Sequence, residues 1–341
     1  MMTTIKDIAQ IAKVSRGTVD KVIHNRPGVK PETRARVQNI IAELNYKPNP
    51  IGMALANSRS VTRIGVILTP INNQFMKITL NGILYAEKEL KPYGVEIITR
   101  TLSSVDPKEE LEFLKEFHEA GIRYIAFVPL EDNDIITYAN RLVKHGTVLI
   151  EFNCHIPKIN TLWFVGQDHV KGGRTAAQLM TKLFPRGGKL GIIVGSGYMN
   201  CHQERLAGFR EKISESPVSY QIVDIKPNND MTEITFQIVT EWLQQYPDLD
   251  AIYITSGGIS GVASALACSG KARQVKLICH DLIPDSERLL KEGIIDFVID
   301  QNPFKQGELI VNTLFDYRSS HKIPTTNDSA IPIYIRVSES L

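Results

Sequence analysis

Residues 4–24 read TIKDIAQIAKVSRGTVDKVIH, and their pattern is helical, with no strand-like alternation of apolar and polar residues. Thr4 can cap a first helix, whose apolar residues recur three and four positions apart at Ile5, Ile8, Ala9 and Ala12. After a short turn at 13–14, Ser15 can cap a second helix from Arg16 to about His24, with its inner face at Val19 and Val22. Two helices joined by so short a turn are the pattern of a helix-turn-helix.

The second helix of such a pair typically enters the major groove of DNA, with its first residues at the base edges. Arg16 and Lys21 lie on its polar face, and either could donate to the O6 and N7 atoms of guanine. Ser15 or Thr18 could bind phosphate. The alternative is a small helical domain that serves protein contacts.

A third helix follows. Residues 25–28, Asn-Arg-Pro-Gly, have the composition of a loop, and Pro31 stands at a first helical position. We expect the inner face of this helix to hold Val37, Ile40, Ile41 and Leu44. The Pro-containing stretch 47–50 ends the helix, and a short segment, 51–57, leads to a linker at 58–60.

Charge is distributed unevenly along the chain. Residues 1–60 hold ten Lys or Arg against four Asp or Glu, a net charge of +6. Since the whole chain carries +2, the remainder carries −4. A basic segment attached to an acidic body indicates a localised surface for a polyanion, although basic solvated faces are also common.

The first residues resemble the lactose-repressor (LacI/GalR) family in five motifs at matching spacing. They are TIKDIA at 4–9, VSxxTV at 14–19, PETRxRV at 31–37, LNYxPN at 44–49 and ALA at 54–56. The resemblance implies a homodimer that binds a pseudo-palindromic operator in double-stranded DNA.

The resemblance also carries over a set of DNA-contacting residues. These are Thr4, Ser15, Arg16, Gly17, Thr18, Lys21, Asn25, Arg34, Tyr46, Asn49 and Leu55. The residues that select bases in this family correspond to Arg16, Gly17 and Lys21, and Gly17 has no side chain with which to contact a base. Asp20 stands where a small hydroxyl residue is usual, and Lys30 stands where a serine or threonine usually caps the third helix.

In this family a hinge leucine wedges into a central base step through the minor groove, and the matching residue is Leu55. The alternative is that Leu55 packs on its own subunit. Pro50 replaces a commoner arginine, and Gly52 replaces an alanine at a cost of about 0.5–1 kcal/mol in helix stability. We therefore predict a hinge that is unfolded in the free protein and becomes ordered only on the operator.

From Arg63 onward, apolar runs of strand length alternate with amphipathic helical stretches. Nine candidate strands are rich in Val and Ile along their whole length, as in parallel sheets covered on both faces. They are 64–69, 96–101, 124–128, 148–152, 190–194, 221–225, 251–255, 276–280 and 296–299. Because nine strands exceed one usual sheet, we predict an α/β body of two doubly wound parallel-sheet lobes.

The predicted organisation is an N-terminal all-α helix-turn-helix domain, 1–48, followed by a hinge and linker, 49–61. The N-terminal lobe of the body takes 62–166 plus about 300–320. The C-terminal lobe takes 167–299 plus about 321–341.

The body resembles the type I periplasmic sugar-binding-protein fold, and within it the ribose-type binders. The motifs are NNQF at 72–75, FVGQD at 164–168 with Gly173-Arg174, ERxxGF at 204–209, His280-Asp281 and DQNP at 300–303. The resemblance implies a sensor that binds a sugar or polyol at the carboxyl ends of strands, in the cleft between the lobes.

Binding a sugar needs planar polar groups for vicinal hydroxyls and an aromatic face for the C–H side. Carried over by position, the expected ligand-binding residues are Asn73, Phe75, Asn153, Gln167, Asp168, Arg205, Asn229, Ser256, Asp281 and Gln301, with Trp163 as a further candidate. Ser256 stands where an asparagine is common, and Asn153 where an aspartate is often found.

Each of the strongest candidates also has a purely structural interpretation. Arg205 could pair with a helix acid, and Asp281 and Gln301 could cap helices. Phe75 could belong to the core, and Asn153 could simply turn the chain. Their position at strand ends favours the binding interpretation.

Several classes of protein are not expected. No stretch of about eighteen apolar residues occurs, and the N-terminus lacks a signal-peptide pattern, so we expect no membrane span and a cytoplasmic location. No Cys or His spacing suits a metal, and we expect no cofactor and free, buried thiols at Cys154, Cys201, Cys268 and Cys279.

Catalytic motifs are also missing. Ser196 is not in a G-x-S-x-G elbow, no phosphate loop ends in Gly-Lys-Ser/Thr, and neighbours such as His280 and Asp281 point to opposite faces of a strand. Glu109 and Glu110 are expected on the solvated face of an amphipathic helix. We do not expect an enzyme.

The prediction is a ligand-responsive transcription regulator, with repression as the output and a sugar or polyol as the inducer. A co-repressed regulator, a transport binding protein and an enzyme with a fused DNA-binding domain are the alternatives.

Overall fold

A computed structural model describes residues 5–23, 27–44, 61–321, 323–324 and 331–341. Three short helices come first: α1 (Ile5–Ile11), α2 (Arg16–Ile23) and α3 (Pro31–Glu43). They share a small core of Ile8, Ala9, Ala12, Val19, Val22 and Val37. The predicted helix-turn-helix is therefore present, with its apolar residues on the inner faces.

The helix ends follow from local chemistry. Ser15 caps α2, since its Oγ accepts a hydrogen bond from the Thr18 backbone N–H at 3.1 Å. Lys30 precedes α3 without a side-chain cap, and Pro31 begins that helix. The prediction that Leu44 lies inside is wrong: α3 ends at Glu43, and Leu44 beyond it is 37% exposed.

The first lobe begins with β1 (Thr62–Leu68), α4 (Gln74–Leu90), β2 (Val95–Thr101), α5 (Pro107–Glu119) and β3 (Tyr124–Phe127). It continues with α6 (Asn133–Lys144), β4 (Val148–Phe152) and β5 (Trp163–Val165). The five strands form a parallel sheet in the order β2-β1-β3-β4-β5.

The second lobe runs through α7 (His169–Leu183), β6 (Gly188–Val194), α8 (Asn200–Ser214), β7 (Tyr220–Pro227), α9 (Thr232–Gln245) and β8 (Ala251–Ile254). It continues with α10 (Ile259–Cys268), β9 (Lys276–His280), α11 (Pro284–Lys291) and β10 (Phe297–Asp300). After α12 (Pro303–Ser320), which returns to the first lobe, comes β11 (Tyr334–Arg336). The sheet order is β11-β10-β9-β8-β6-β7, parallel except for β11.

All nine candidate strands are present, and the described residues contain two more. β5 and β11 were missed because each has only three residues at the edge of a sheet, too few for a pattern. Among the described residues, no helix is long and apolar enough to cross a membrane.

Two glycine pairs let helices approach closely. A Cβ on Gly173 of α7 would lie 1.9 Å from the Arg205 carbonyl oxygen, and one on Gly208 of α8 would lie 2.0 Å from the Val170 oxygen. Gly82 of α4 and Gly307 of α12 meet in the same reciprocal way, each with a carbonyl 2.0 Å from its would-be Cβ. The first pair sets the position of α8 in the second lobe, and the second attaches α12 to the first lobe.

Candidate functional site

A cavity of about 730 Å³ lies between the lobes, at the carboxyl ends of the strands. Of the ten predicted ligand-binding residues, seven line it: Asn73, Phe75, Asn153, Arg205, Asn229, Asp281 and Gln301. They come from both lobes, as a doubly wound fold predicts. Gln167, Asp168 and Ser256 are not among the lining residues.

Arg205 is the most deeply placed charged group of the cavity, with 2% of its surface exposed. Its Nη1 donates to the Thr255 carbonyl oxygen at 2.7 Å. Its Nε and Nη2 have no hydrogen-bond partner among the described residues. A carbonyl, not a helix acid, is therefore its partner, and a buried guanidinium with two unpaired N–H directions favours an acceptor brought in by a ligand.

Asp281 supplies a carboxylate to the same cavity, and its Oδ1 accepts from Gln301 Nε2 at 2.6 Å. Burial raises the pKa of Asp281 to about 6, although the Arg205 charge and the Gln301 hydrogen bond act in the opposite direction. The backbone carbonyl of Gln301 accepts from Gln306 Nε2 at 3.0 Å, which holds the Gln301 backbone in place. The two side chains therefore form one fixed polar unit beside the guanidinium.

Backbone conformation near the strand ends directs the other polar residues of the cavity. Asn153, Asn229 and Asp281 have φ angles of 60°, 51° and 72°, in the left-handed region. Asn and Asp tolerate this region better than other non-glycine residues, so they can turn the chain sharply directly after a strand. Asn153 both turns the chain and keeps its buried Oδ1 without a partner among the described residues.

The first lobe contributes Asn73 and Phe75 at the start of α4. Asn73 caps this helix, its Oδ1 accepting from the Phe75 backbone N–H at 2.9 Å. Phe75 is 3% exposed and packs in the first-lobe core while it lines the cavity. Core packing and a ligand-facing role are therefore both compatible with its position.

Three predicted ligand-binding residues have structural positions instead, and their placement argues against direct ligand contact. Gln167 is buried, and its Nε2 donates to the carbonyls of Asp300 and Pro332 at 3.2 and 2.8 Å, where the chain passes between the lobes. Asp168 is exposed and caps α7. Ser256 Oγ donates to the side chain of Asn228 at 2.9 Å.

Trp163, the further candidate, does not line the cavity either; it belongs to edge strand β5. The expectation that Glu110 lies on a solvated face is also wrong, because Glu110 is fully buried and accepts from the Leu130 backbone N–H at 3.0 Å. Burial raises its pKa to about 8. The Glu110 carboxyl group holds the loop after β3 through this hydrogen bond, a contact that helical periodicity alone did not indicate.

Sequence reasoning missed His202 and Asp230, which both line the cavity. His202 lies one turn before Arg205 on α8, a spacing that shares a helix face and could have revealed it. Asp230 Oδ1 accepts from the Gly257 backbone N–H at 2.6 Å. It is the direct neighbour of Asn229, but a turn-forming Asn-Asp pair gives no clear signal of binding.

The charges around the cavity are predominantly acidic. Among the described residues that line it, Arg205 is the one Lys or Arg, against the carboxyl groups of Asp230, Glu233, Asp281 and Asp285. An anionic ligand would meet a single buried cation and several carboxylates, so the cavity favours an uncharged ligand.

The lobes contact each other across the cleft. The Gln74 side chain accepts from the Asp285 backbone N–H at 3.3 Å, and the Tyr198 carbonyl accepts from the Glu131 N–H at 2.9 Å. Asn200 Nδ2 donates to the His155 carbonyl at 3.1 Å. Cleft geometry and ligand access therefore depend on how the two lobes are arranged.

On the DNA side, the described part of the predicted set is Ser15, Arg16, Gly17, Thr18, Lys21 and Arg34. The side chains of Arg16 and Lys21 are exposed on the outer face of α2, and no hydrogen bond or ion pair to another described side chain involves them. Thr4, Asn25, Tyr46, Asn49 and Leu55 lie outside the described residues. The predictions about the hinge and linker, 49–61, stay predictions, since residues 49–60 are also outside the described part of the chain.

Family models match two parts of the chain. The model of the family described as "Bacterial regulatory proteins, lacI family" matches residues 4–49. The model described as "Periplasmic binding protein domain" matches residues 64–322. The two matches leave residues 1–3, 50–63 and 323–341 uncovered.

Individual relatives agree with this division. The ribose operon repressor of Bacillus subtilis is 28% identical over 84% of this chain and 83% of its own length. The D-allose-binding periplasmic protein of Escherichia coli is 26% identical over 80% of this chain and 90% of its own. Among solved structures, GanP, a glucose-galactose binding protein from Geobacillus stearothermophilus, superposes with a TM-score of 0.75 at 20% identity, over 83% of this chain and 99% of its own.

Proposed function

We propose, from the premise that this chain belongs to the LacI family of bacterial regulatory proteins and carries a periplasmic-binding-protein domain, that it is a homodimeric repressor released from its operator by a sugar or polyol. The chain is a ligand-responsive DNA-binding regulator. The observation that carries the choice of effector is the buried Arg205, which lines an acidic cavity and whose Nε and Nη2 have no partner among the described residues.

Vicinal hydroxyls match the polar groups of this cavity. Each hydroxyl donates one hydrogen bond and accepts others, so one can accept from Arg205 while it donates to Asp281 or Asn153. Phe75 offers an apolar face for the C–H side of a ring. The acidic surroundings favour an uncharged polyol over a sugar phosphate.

A homodimer is supported by an apolar patch on the first lobe. Leu84 and Tyr85 of α4 and Phe304 of α12 are 48%, 49% and 38% exposed, and the Tyr85 and Phe304 rings lie 5.6 Å apart. Large exposed side chains grouped in this way are typical of a surface that another protein covers. A two-fold dimer through such a surface would hold two α2 helices at a fixed spacing for two half-sites.

The proposed coupling between effector binding and DNA binding follows from the way the lobes and the linker are connected. The linker enters the body directly before β1, which carries cavity residues at its other end. An effector that bridges Arg205 of the second lobe and Asn73 of the first favours one lobe arrangement, which the linkers of a dimer would transmit to the DNA-binding domains. Coupling of this kind is typically about 1–3 kcal/mol.

The test is a thermal-shift screen followed by an operator-release assay. The panel contains D-ribose, D-allose, D-arabinose, D-galactose and ribitol, with ribose 5-phosphate as the charged comparison. An effector present at a hundred times its dissociation constant stabilises the native protein by about 2.7 kcal/mol. We expect a shift with an uncharged member, and the same compound should release operator DNA selected from a random duplex pool.

The ligand is expected to be recovered unchanged, because the protein binds its effector without turning it over. Tighter operator binding in the presence of the ligand would show that the ligand acts as a co-repressor and not as an inducer. A ligand that shifts the melting temperature but leaves operator affinity unaltered would contradict the regulatory role and favour simple sugar binding.

A further inference from the structure

Two cysteines meet at the junction of the lobes. Cys154 follows β4 directly after the cavity residue Asn153, and Cys201 lies in the first turn of α8. Their Sγ atoms are 2.8 Å apart, and both residues are free thiols that are essentially fully buried. A disulfide joins its sulfurs at about 2.05 Å, so only a small movement separates this pair from a covalent bond.

The pair connects two different lobes. Cys154 belongs to the first-lobe core, whereas α8 packs on α7 of the second lobe through the Gly173 and Gly208 contacts. Cys201 reaches from the start of α8 into the first-lobe core. A bond between the sulfurs would therefore join the lobes at the base of the cleft.

The surroundings of Cys201 favour chemistry at this sulfur. Burial opposes ionisation, but the S–H donated by Cys154 and the adjacent His202 imidazole together lower the pKa of Cys201. Thiolates are the reactive form of cysteine. Met199 and His202, which flank Cys201 closely in sequence, line the cavity, so a small molecule that enters the cavity comes near the pair.

We propose that Cys154 and Cys201 are a modification site at which a small hydroperoxide forms a reversible disulfide between the two lobes. The Cys201 thiolate attacks the peroxide oxygen, the O–O bond breaks, and the alkoxide or hydroxide leaves and takes up a proton. The resulting sulfenic acid is attacked by Cys154 sulfur, the S–O bond breaks, and the Cys154 proton leaves with the hydroxide as water. Two thiols thus give two electrons to one hydroperoxide.

The consequence for regulation rests on the proposed function. Arg205 lies one helical turn after Cys201, and Asn153 directly precedes Cys154, so a disulfide holds two cavity residues from opposite lobes together. The oxidised chain is then held in the lobe arrangement in which the two sulfurs meet, and we expect the effector to favour the same arrangement. Such transient bonds are the kind found in reducing compartments.

The first test counts and locates the thiols of the full chain, with no DNA or sugar present. After hydrogen peroxide treatment, blocking of remaining thiols and trypsin digestion, we expect a cross-link between peptides 145–158 and 190–205 and the loss of two of the four thiols. Dithiothreitol should restore all four. Cys268 is exposed, so the expectation that all four thiols are buried is wrong at this residue, which provides the matched control. Cys268→Ser should still form the cross-link, whereas Cys154→Ser and Cys201→Ala should not.

Retention of four reactive thiols after peroxide treatment, or a cross-link through Cys268 or Cys279 alone, would overturn the site. The second test measures affinity for selected operator DNA. Oxidised protein should differ from reduced protein in the direction of the effector, by about 5- to 150-fold, and Cys154→Ser should abolish the difference.

The two tests separate the two proposals. A cross-linked protein whose operator affinity stays within twofold of the reduced form would refute the regulatory consequence. A reduced protein that binds no operator would refute the proposed function, while the thiol count still decides whether the disulfide forms.

Discussion

Replacing Arg205 by Met should remove effector binding while the protein stays folded. Two guanidinium nitrogens of Arg205, Nε and Nη2, have no partner among the described residues, and each is available for a charge-assisted hydrogen bond of about 1.5–3 kcal/mol to a ligand hydroxyl. Losing both costs at least about 3 kcal/mol of binding free energy, which at about 1.4 kcal/mol per decade is a hundredfold or larger rise in Kd.

The effect on stability should be small, because two opposing changes accompany the substitution. Met leaves the Thr255 carbonyl without its 2.7 Å donor, a loss of about 1–3 kcal/mol, but it also removes a buried charge with unpaired N–H groups. The effector-free melting temperature should therefore change little while the effector-induced shift disappears. Calorimetric titration with the sugar identified by the screen gives Kd directly.

Arg210→Met is the matched control, since Arg210 lies on the same helix but is exposed and does not line the cavity. It should leave both Kd and the thermal shift unaltered. If Arg205→Met binds the effector within threefold of the wild-type protein, the assignment of the cavity as the effector site is wrong.

Three further predictions concern other parts of the molecule. The pKa of Asp281 is raised from 3.8 to about 6, so between these pH values the folded chain binds one more proton at this residue than the unfolded chain. The stability that this proton contributes is lost as pH rises from about 4 to 6. Effector affinity should fall as pH drops below 6. Calorimetry across pH 4.5–8 should show this loss of affinity in the wild-type protein, and a pH-independent wild-type Kd would contradict it. Gly173→Ala places a Cβ 1.9 Å from the Arg205 carbonyl oxygen and should lower the free energy of unfolding in urea by about 1–3 kcal/mol or more, whereas Gly197→Ala, with nothing within 4 Å of its Cβ, should not. Arg16→Ala should weaken operator binding by about 1–3 kcal/mol and relax base preference in fluorescence anisotropy; an equal loss on random DNA would show that Arg16 contacts phosphate instead.

Patterns along the chain were sufficient to predict most helices and strands and the polar residues that follow strands. Val/Ile-rich runs predicted nine strands because buried parallel strands are apolar along their whole length. They did not predict β5 and β11, whose three residues each are stabilised by edge pairing with a neighbouring strand. Periodicity also misassigned Glu110, since a helix face that looks solvated is covered by the loop after β3.

The sequence by itself determined the helix-turn-helix, because Ser15, Pro31 and the inner apolar positions act through contacts within a few residues. It also indicated the polar residues that follow strands, and four of these line the cavity: Asn153, Asn229, Asp281 and Gln301. Only the tertiary structure decided that Gln167 joins the crossover segments and that Cys154 meets Cys201. It also decided that two donors of Arg205 find no partner in the part of the chain that is described. The physical reason is that these outcomes depend on distances between residues far apart in the chain, which are set when the two lobes pack.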